Sequence, residues 1–116
     1  MMTNKEKATA FSNGEFEKTY HFISDNAAWT VVEENRFAGK QAIIDHCEQV
    51  GNYFKSVETD FKTLHVIEEG NKVVVNGTAE FLRENKRVAF VSACDIYEFN
   101  NNNEIQYITS YCIESK

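Results

Sequence analysis

The chain has 116 residues, of which 42% are hydrophobic and 13% aromatic, and eighteen acidic residues against twelve basic ones give a net charge of −6. This length and apolar content predict one globular domain spanning residues 1–116 rather than a disordered chain. The negative charge disfavours nucleic acid and anionic membranes as partners, since both attract basic surfaces. No apolar run approaches the ~20 residues of a membrane helix, and no apolar segment follows the charged start, so we expect a cytoplasmic protein.

Two capping boxes predict two short helices at the start of the chain. The pair Thr3 and Glu6 begins a helix to about residue 11, and the pair Ser12 and Glu15 begins a second helix to about residue 23. The dipeptide Asp25-Asn26 is expected to end the second helix.

The middle of the chain predicts a strand, a loop and the longest helix. Residues 28–34 are rich in β-branched and aromatic side chains and indicate a strand. Residues 35–39 indicate a loop. Residues 40–54 carry apolar side chains at helical spacing and indicate a helix, with His46 on its apolar stripe.

The rest of the chain predicts four strands in an antiparallel meander. Polar turns separate residues 57–68, residues 72–83, residues 86–99 and residues 104–114. The last turn, residues 100–103, is four asparagines, which tolerate the left-handed backbone of tight hairpins. Helices followed by a run of strands indicate an α+β fold in which the helices pack on one face of a curved sheet.

The final hairpin defines two faces. If its turn is tight, paired residue numbers sum to about 203. Ala93, Asp95 and Tyr97 then share one face, and Phe90 and Ile96 share the other. Both faces are largely apolar, so both must be covered. Asp95 is the carboxylate that interrupts the first face, and its neighbours predict burial and a raised pKa.

The three cysteines, Cys47, Cys94 and Cys112, are expected to be free thiols. An odd number without a secretion signal argues against disulfides. Cys94 and Cys112 also lie on opposite faces of the predicted hairpin, where they cannot bridge.

The element order αα-β-α-ββββ resembles the nuclear transport factor 2-like superfamily, in particular its SnoaL-like and ketosteroid isomerase-like branches. The local likeness lies in Gly39-Lys40-Gln41-Ala42-Ile43 at the start of the long helix, and in Cys94-Asp95-Ile96-Tyr97-Glu98-Phe99 followed by a polar turn and Glu104-Ile105. The resemblance implies a cystatin-like cone: a strongly bent sheet around helices, with an apolar pocket inside. It also implies a homodimer through the outer sheet face.

The isomerases of this superfamily use a carboxylate base, together with a tyrosine on the first helix and a neutral aspartic acid, and the last two donate hydrogen bonds to a developing oxyanion. The resemblance places the aspartic acid at Asp95. It places the base near Val31, which cannot take a proton, and the tyrosine near Lys7. Glu33 lies two residues beyond Val31 and replaces the base only if the register shifts.

Asp95, Glu33 and Glu80 are therefore the candidate catalytic residues, with a structural aspartate and a solvent-exposed Glu80 as the alternatives. His46 and Cys47 are adjacent in a helix, where side chains diverge by ~100°, so a Cys-His nucleophile pair is not expected. The candidate pocket residues are Trp29, Val31, His46, Cys47, Tyr53, Phe54, Thr78, Tyr97, Ile108, Ser110 and Cys112.

Three functions fit this sequence. The first is binding of a small apolar or aromatic molecule in the internal pocket. The second is an isomerase or cyclase in which Asp95 acts with Glu33, Glu80 or His46. The third is an interaction module that uses the outer sheet face. No residue cluster has metal-ligand spacing and no phosphate-binding loop is present, so neither a metal nor a cofactor is expected. The expected homodimer face carries Phe90, Ile96, Tyr107, Tyr111 and Ile113.

Overall fold

The computed structural model describes residues 2–115 and contains three helices and six strands. The elements in chain order are α1 (Asn4–Ser12), a 3₁₀ helix (Phe16–Phe22), β1 (Ile23–Val31), β2 (Asn35–Ala38), α2 (Lys40–Lys55), β3 (Glu58–Glu69), β4 (Lys72–Arg83), β5 (Lys86–Phe99) and β6 (Ile105–Glu114). Across the described span, no helix is long and apolar enough to cross a membrane.

The strands form one mixed sheet in the order β2-β1-β6-β5-β4-β3. The β1–β6 pair is parallel, and every other neighbouring pair is antiparallel. The helices cover one face, here called the inner face, where Phe11 and Ile43 join Tyr97 and Ile108 in the buried core. The predicted α+β architecture and the antiparallel meander of the last four strands are confirmed.

The β5–β6 register differs from the predicted one by two residues. Asp95 pairs with Ser110, and Tyr97 with Ile108, so paired numbers sum to 205. The Asn100 N–H donates to the Glu104 carbonyl at 2.9 Å, so the turn is wider than a two-residue hairpin, and the register shifts between Glu98 and Phe99, just before the turn. The shift is even, and the predicted division of residues between the two faces is therefore preserved.

The first predicted helix is confirmed, and the second is wrong. Thr3 and Glu6 form the expected capping box, with the Glu6 N–H donating to Thr3 Oγ1 at 3.1 Å. Ser12, however, is the last residue of α1 and caps nothing. The chain turns at Gly14, whose φ of 79° favours glycine, and then forms only a 3₁₀ helix without a side-chain cap.

The first strand begins earlier than predicted. Asp25 and Asn26 lie inside β1 rather than at a helix end, with both side chains exposed. Residues 35–38, predicted as loop, pair with β1 as the short edge strand β2. The long helix, predicted over residues 40–54, extends one residue further to Lys55.

A bulge in the edge strand β3 and Gly77 in β4 lie together near the middle of these two strands. The β3–β4 register shifts between Thr63 and His65, and Thr63 pairs with Gly77. A Cβ at Gly77 would clash with the Lys62 carbonyl oxygen. Glycine is therefore required for this close backbone approach, and bulges of this kind bend a strand.

Candidate ligand cavity

A cavity of about 300 Å³ lies between the helices and the inner face of the sheet. Its walls are mostly apolar and come from nearly every element. The apolar wall residues are Phe11, Phe16, Trp29, Val31, Val50, Phe54, Phe61, Val75, Ala79, Phe81, Val91 and Ala93. This volume lies at the lower end of the range for small-molecule sites.

The buried polar groups of the cavity meet at Asp95. Ser12 Oγ donates to Asp95 Oδ2 at 2.8 Å and lies 2.7 Å from the Tyr97 hydroxyl. Ser110 faces Asp95 across the β5–β6 pair, and its Oγ accepts from Trp29 Nε1 at 3.0 Å. Five side chains from α1, β1, β5 and β6 thus form one connected polar cluster, hereafter the Asp95 cluster.

Asp95 is only 9% exposed, and this burial raises the pKa of its carboxyl group. Desolvation is the largest cause, because an apolar environment disfavours the charged form. The hydroxyls of Ser110 and Ser12 act in the opposite direction, since hydrogen bonds donated to the carboxylate favour charge. Desolvation therefore raises the pKa of Asp95, and the two neutral hydroxyl donors offset only part of this rise.

When Asp95 is ionised, the chemistry of its neighbours fixes which group donates in each hydrogen bond of the Asp95 cluster. An indole N–H can only donate, so Ser110 accepts from Trp29 and keeps its own hydrogen for Asp95. A carboxylate can only accept, so Ser12 donates to it and accepts from the Tyr97 hydroxyl. All hydrogens then point towards Asp95. The carboxylate has about four acceptor positions, which leaves capacity for a ligand donor.

The other titratable side chains of the cavity lining do little to neutralise the negative charge of an ionised Asp95. Burial lowers the pKa of His46, which favours the neutral imidazole, and its ring stacks on Phe37 with centroids 4.1 Å apart. Desolvation raises the pKa of Cys112 to about 11 and keeps it a thiol. Lys62 is exposed, with its Nζ 3.9 Å from Asp60, and Glu34 adds a further acidic group to the lining.

Many of the residues predicted for the site belong to the cavity lining. They are Trp29, Val31, His46, Phe54, Thr78, Asp95, Ser110 and Cys112. Asp95 is the predicted acid that the structure places there, and its predicted burial and raised pKa agree with the structure.

Four predicted pocket residues lie outside the lining. Tyr97 and Ile108 are fully buried opposite each other, nearer to the asparagine turn than Asp95, where α1 fills the space. Cys47 is buried in the core beside Ile43. Tyr53 is 43% exposed, and its ring packs edge-on against Phe81 at 5.7 Å.

Glu33 and Glu80, the other two candidate catalytic carboxylates, lie outside the cavity. Glu33 lies exposed in the turn between β1 and β2, because the chain reverses after Val31, and its φ is 64°. Glu80 pairs with Phe90 on the face opposite to Asp95, and its Oε2 accepts from Arg87 Nε at 2.8 Å. Neither carboxylate belongs to the lining.

Ser12 is the main site residue that sequence reasoning missed. The capping-box pattern assigned its hydroxyl to a helix start, whereas the structure directs it to Asp95, 83 residues away. A weaker signal was present: helical spacing places Ser12 on the same face as Ala8, which is fully buried. Alternation along β3 and β4 likewise brings Phe61, Val75 and Phe81 to the inner face.

Within residues 2–115, no group of three or more His, Cys, Asp or Glu side chains is arranged to hold a metal ion. The cavity can accommodate an apolar molecule and offer it the buried carboxyl group of Asp95, the hydroxyls of Ser12 and Ser110, and the neutral imidazole of His46.

A SnoaL-like domain model matches residues 6–108, which is most of the chain, and the protein therefore belongs to the SnoaL-like family. A nuclear transport factor 2-like protein of unknown function from Cytophaga hutchinsonii is 36% identical, with a TM-score of 0.82 over 91% of this chain and 92% of that one. No curated protein matches the chain.

Two more distant structures share the fold. An LEH-like epoxide hydrolase from M. tuberculosis is 16% identical, with a TM-score of 0.66 over 90% of this chain and 75% of that one. SalBIII, an epoxide hydrolase/cyclase-like enzyme of pyran ring formation in the polyether salinomycin, is 18% identical, with a TM-score of 0.69 over 95% and 90%. At these identities the likeness concerns the fold alone.

Proposed function

We propose that the protein binds a small, mostly apolar molecule in the cavity, with the ligand's polar group held at Asp95. The observation that carries this proposal is the arrangement of the lining: aromatic and aliphatic walls surround about 300 Å³, and the buried polar groups converge at Asp95. Pockets with apolar walls and a few convergent polar groups are typical ligand sites.

The sole tryptophan provides a direct test, because Trp29 lies in the lining and reports on its occupancy. Cyclohexanol, menthol and menthone are neutral ring compounds of graded size with one oxygen. We expect saturable changes in Trp29 fluorescence with at least one of them, confirmed by isothermal titration calorimetry. The absence of saturable binding by all three would contradict the proposal.

Two neighbouring positions on β5 give a matched pair of variants. Ala93 lies in the cavity lining, whereas Ser92 is exposed on the opposite face. Ala93→Leu fills part of the cavity and should weaken binding by about tenfold or more, while Ser92→Leu adds the same bulk outside and should leave it unchanged. Equal effects of both substitutions would place the binding site elsewhere.

A second candidate is an enzyme of the isomerase or cyclase type that uses Asp95 as general acid. The specific observation in its favour is a buried carboxyl group with a raised pKa, bonded to Ser12 at the cavity wall. Of the partners considered with Asp95, only His46 lies in the lining. The test is a pH–rate profile with apolar ketones. Asp95→Asn should abolish turnover while leaving ligand affinity within about tenfold.

We also propose that the outer face of the sheet forms a homodimer interface. Tyr107, Tyr111 and Ile113 are exposed on β6, and Ile113 is 71% exposed. Apolar side chains clustered on a regular sheet face are typical of association surfaces. A different protein bound to this face is the competing possibility, and a heteromeric pull-down with the purified chain as bait distinguishes it from self-association.

A further inference from the structure

We propose that the ligand is a small protonated amine, with its ammonium group paired to Asp95 and its hydrocarbon body between the aromatic walls. This inference rests on the proposed binding function and adds the chemical class of the ligand. Four features of the cavity support it: an unbalanced carboxylate, hydrogen bonds directed towards it, adjacent aromatic rings and an acidic environment.

The first feature is the missing counter-charge. Within the part of the chain that the structure describes, no Lys, Arg or His forms an ion pair with Asp95. The neighbouring side chains from α1 and β6 are neutral hydroxyls, His46 on α2 favours its neutral form, and Lys62 on β3 is exposed beside Asp60. Buried charges in proteins are normally paired, and an ammonium ligand supplies the cation that the chain does not.

The second feature is the direction of the hydrogen bonds in the Asp95 cluster. Trp29 donates to Ser110, and Ser12 donates to Asp95, with Tyr97 placed behind Ser12. Such an arrangement stabilises the carboxylate and presents acceptors, not donors, to the cavity. The partner best suited to it carries N–H donors, and charge-assisted hydrogen bonds to a carboxylate are the strongest available.

The third feature is the position of the aromatic rings. Trp29 is bonded to Ser110, the residue that faces Asp95, and Phe11 directly precedes Ser12. The Trp29 and Phe11 rings pack edge-to-face with centroids 5.0 Å apart. Trp29 thus belongs to the Asp95 cluster, and Phe11 packs against it in the same cavity lining, where aromatic rings favour a cationic ligand.

The fourth feature is the excess of negative charge in the cavity lining and in the whole chain. The lining contains Glu34 as well as Asp95, and the whole chain carries a net charge of −6. An acidic protein attracts cations towards its clefts and repels anions. A carboxylate ligand would meet Asp95 without a buried cation between them, which excludes organic acids as the preferred class.

Three compounds of similar shape test the inference: 2-phenylethylamine, 2-phenylethanol and phenylacetate. Isothermal titration calorimetry at pH 7 should give the amine about tenfold or more tighter binding than the alcohol, and no binding of the acid. Asp95→Asn should weaken binding of the amine by about tenfold and change the affinity for the alcohol by less than about threefold. A pH titration of the wild-type protein needs no variant. Lowering the pH through the folded-state pKa of Asp95 should weaken binding of the amine and leave the affinity for the alcohol unchanged.

The outcomes separate the inference from the proposed function. Binding of the alcohol as tight as that of the amine, or an Asp95→Asn variant that keeps full amine affinity, would overturn the amine while leaving the ligand cavity in place. Failure of the amine to bind would also overturn it. The cavity itself is judged by the neutral ring compounds and the Ala93 and Ser92 variants.

Discussion

Ser12 Oγ donates a 2.8 Å hydrogen bond to Asp95 Oδ2 and thereby joins the end of α1 to the inner face of β5. The same hydroxyl lies 2.7 Å from the Tyr97 hydroxyl, so one side chain connects a cavity acid to a fully buried phenol. The helix that covers the cavity is thus attached to the sheet at the point where the polar groups converge.

The first prediction concerns the stability contributed by Asp95. Its folded-state pKa is raised, so the folded form holds the proton more tightly than the unfolded chain. Its contribution is fully present below the unfolded pKa of about 3.9 and is lost as the pH rises through the folded pKa. The unfolding free energy of wild type minus that of Asp95→Asn, from urea titrations, should therefore fall with pH across this window. A difference that grows with pH would show an ion-paired carboxylate and contradict the cavity assignment.

The second prediction concerns the link between Ser12 and Tyr97. Ser12→Ala removes a donor to Asp95 and leaves the buried Tyr97 hydroxyl without this partner, which should cost about 1–3 kcal/mol of unfolding free energy. Tyr97→Phe should cost less in the Ser12→Ala background than in the wild type, since its partner is already absent. A double-mutant cycle measures this coupling, expected at about 0.5–3 kcal/mol. Strict additivity would show that the two hydroxyls do not interact.

The third prediction concerns self-association. We expect light scattering at micromolar concentration to give the mass of a dimer. Tyr111→Glu should shift the measured mass towards that of the monomer, because burying a charge in an apolar interface is unfavourable. Asn52→Glu on the exposed side of α2 introduces the same charge away from the sheet and is the control. A wild-type monomer at these concentrations would contradict the dimer.

The fourth prediction concerns the thiols. Cys94 faces outwards opposite Tyr111, while Cys112 pairs with Ala93 on the inner face, so the two cannot join. Mass spectrometry of the unfolded, unreduced protein should show three alkylated cysteines. In the native protein, the buried Cys47, whose pKa burial raises to about 12, should react more slowly than the exposed Cys112. A loss of two mass units from the untreated protein would indicate a disulfide and an incorrect register.

Regular periodicity explains what could be predicted from the sequence. The long helix and the four meander strands carry strong local patterns, and their bounds in the structure differ by no more than one residue from those predicted. The side-chain alternation also placed Asp95 on the covered face, although the register was two residues off, because an even shift keeps every residue on its face.

Long-range contacts explain what could not be predicted. A serine followed three residues later by a glutamate reads as a capping box, yet Ser12 lies within reach of Asp95, and nothing local in the sequence marks this distant partner. Glu33 was predicted to continue the inward alternation of β1, but the chain turns after Val31. Glu80 alternates onto the outer face, where Arg87 pairs with it.

The central claim is that a ligand occupies the cavity and meets the Asp95 cluster, and the indole N–H of Trp29 tests it most directly. As the sole tryptophan, it gives one indole cross-peak in a ¹H–¹⁵N NMR spectrum, and this N–H donates to Ser110 beside Asp95. Titration with 2-phenylethylamine should shift this cross-peak saturably, and a ¹³C spectrum should show a shift of the Asp95 side-chain carboxyl resonance, while the amide of Gly70 in the exposed turn between β3 and β4 stays in place. An unmoved indole signal, or shifts confined to the outer face, would contradict the account.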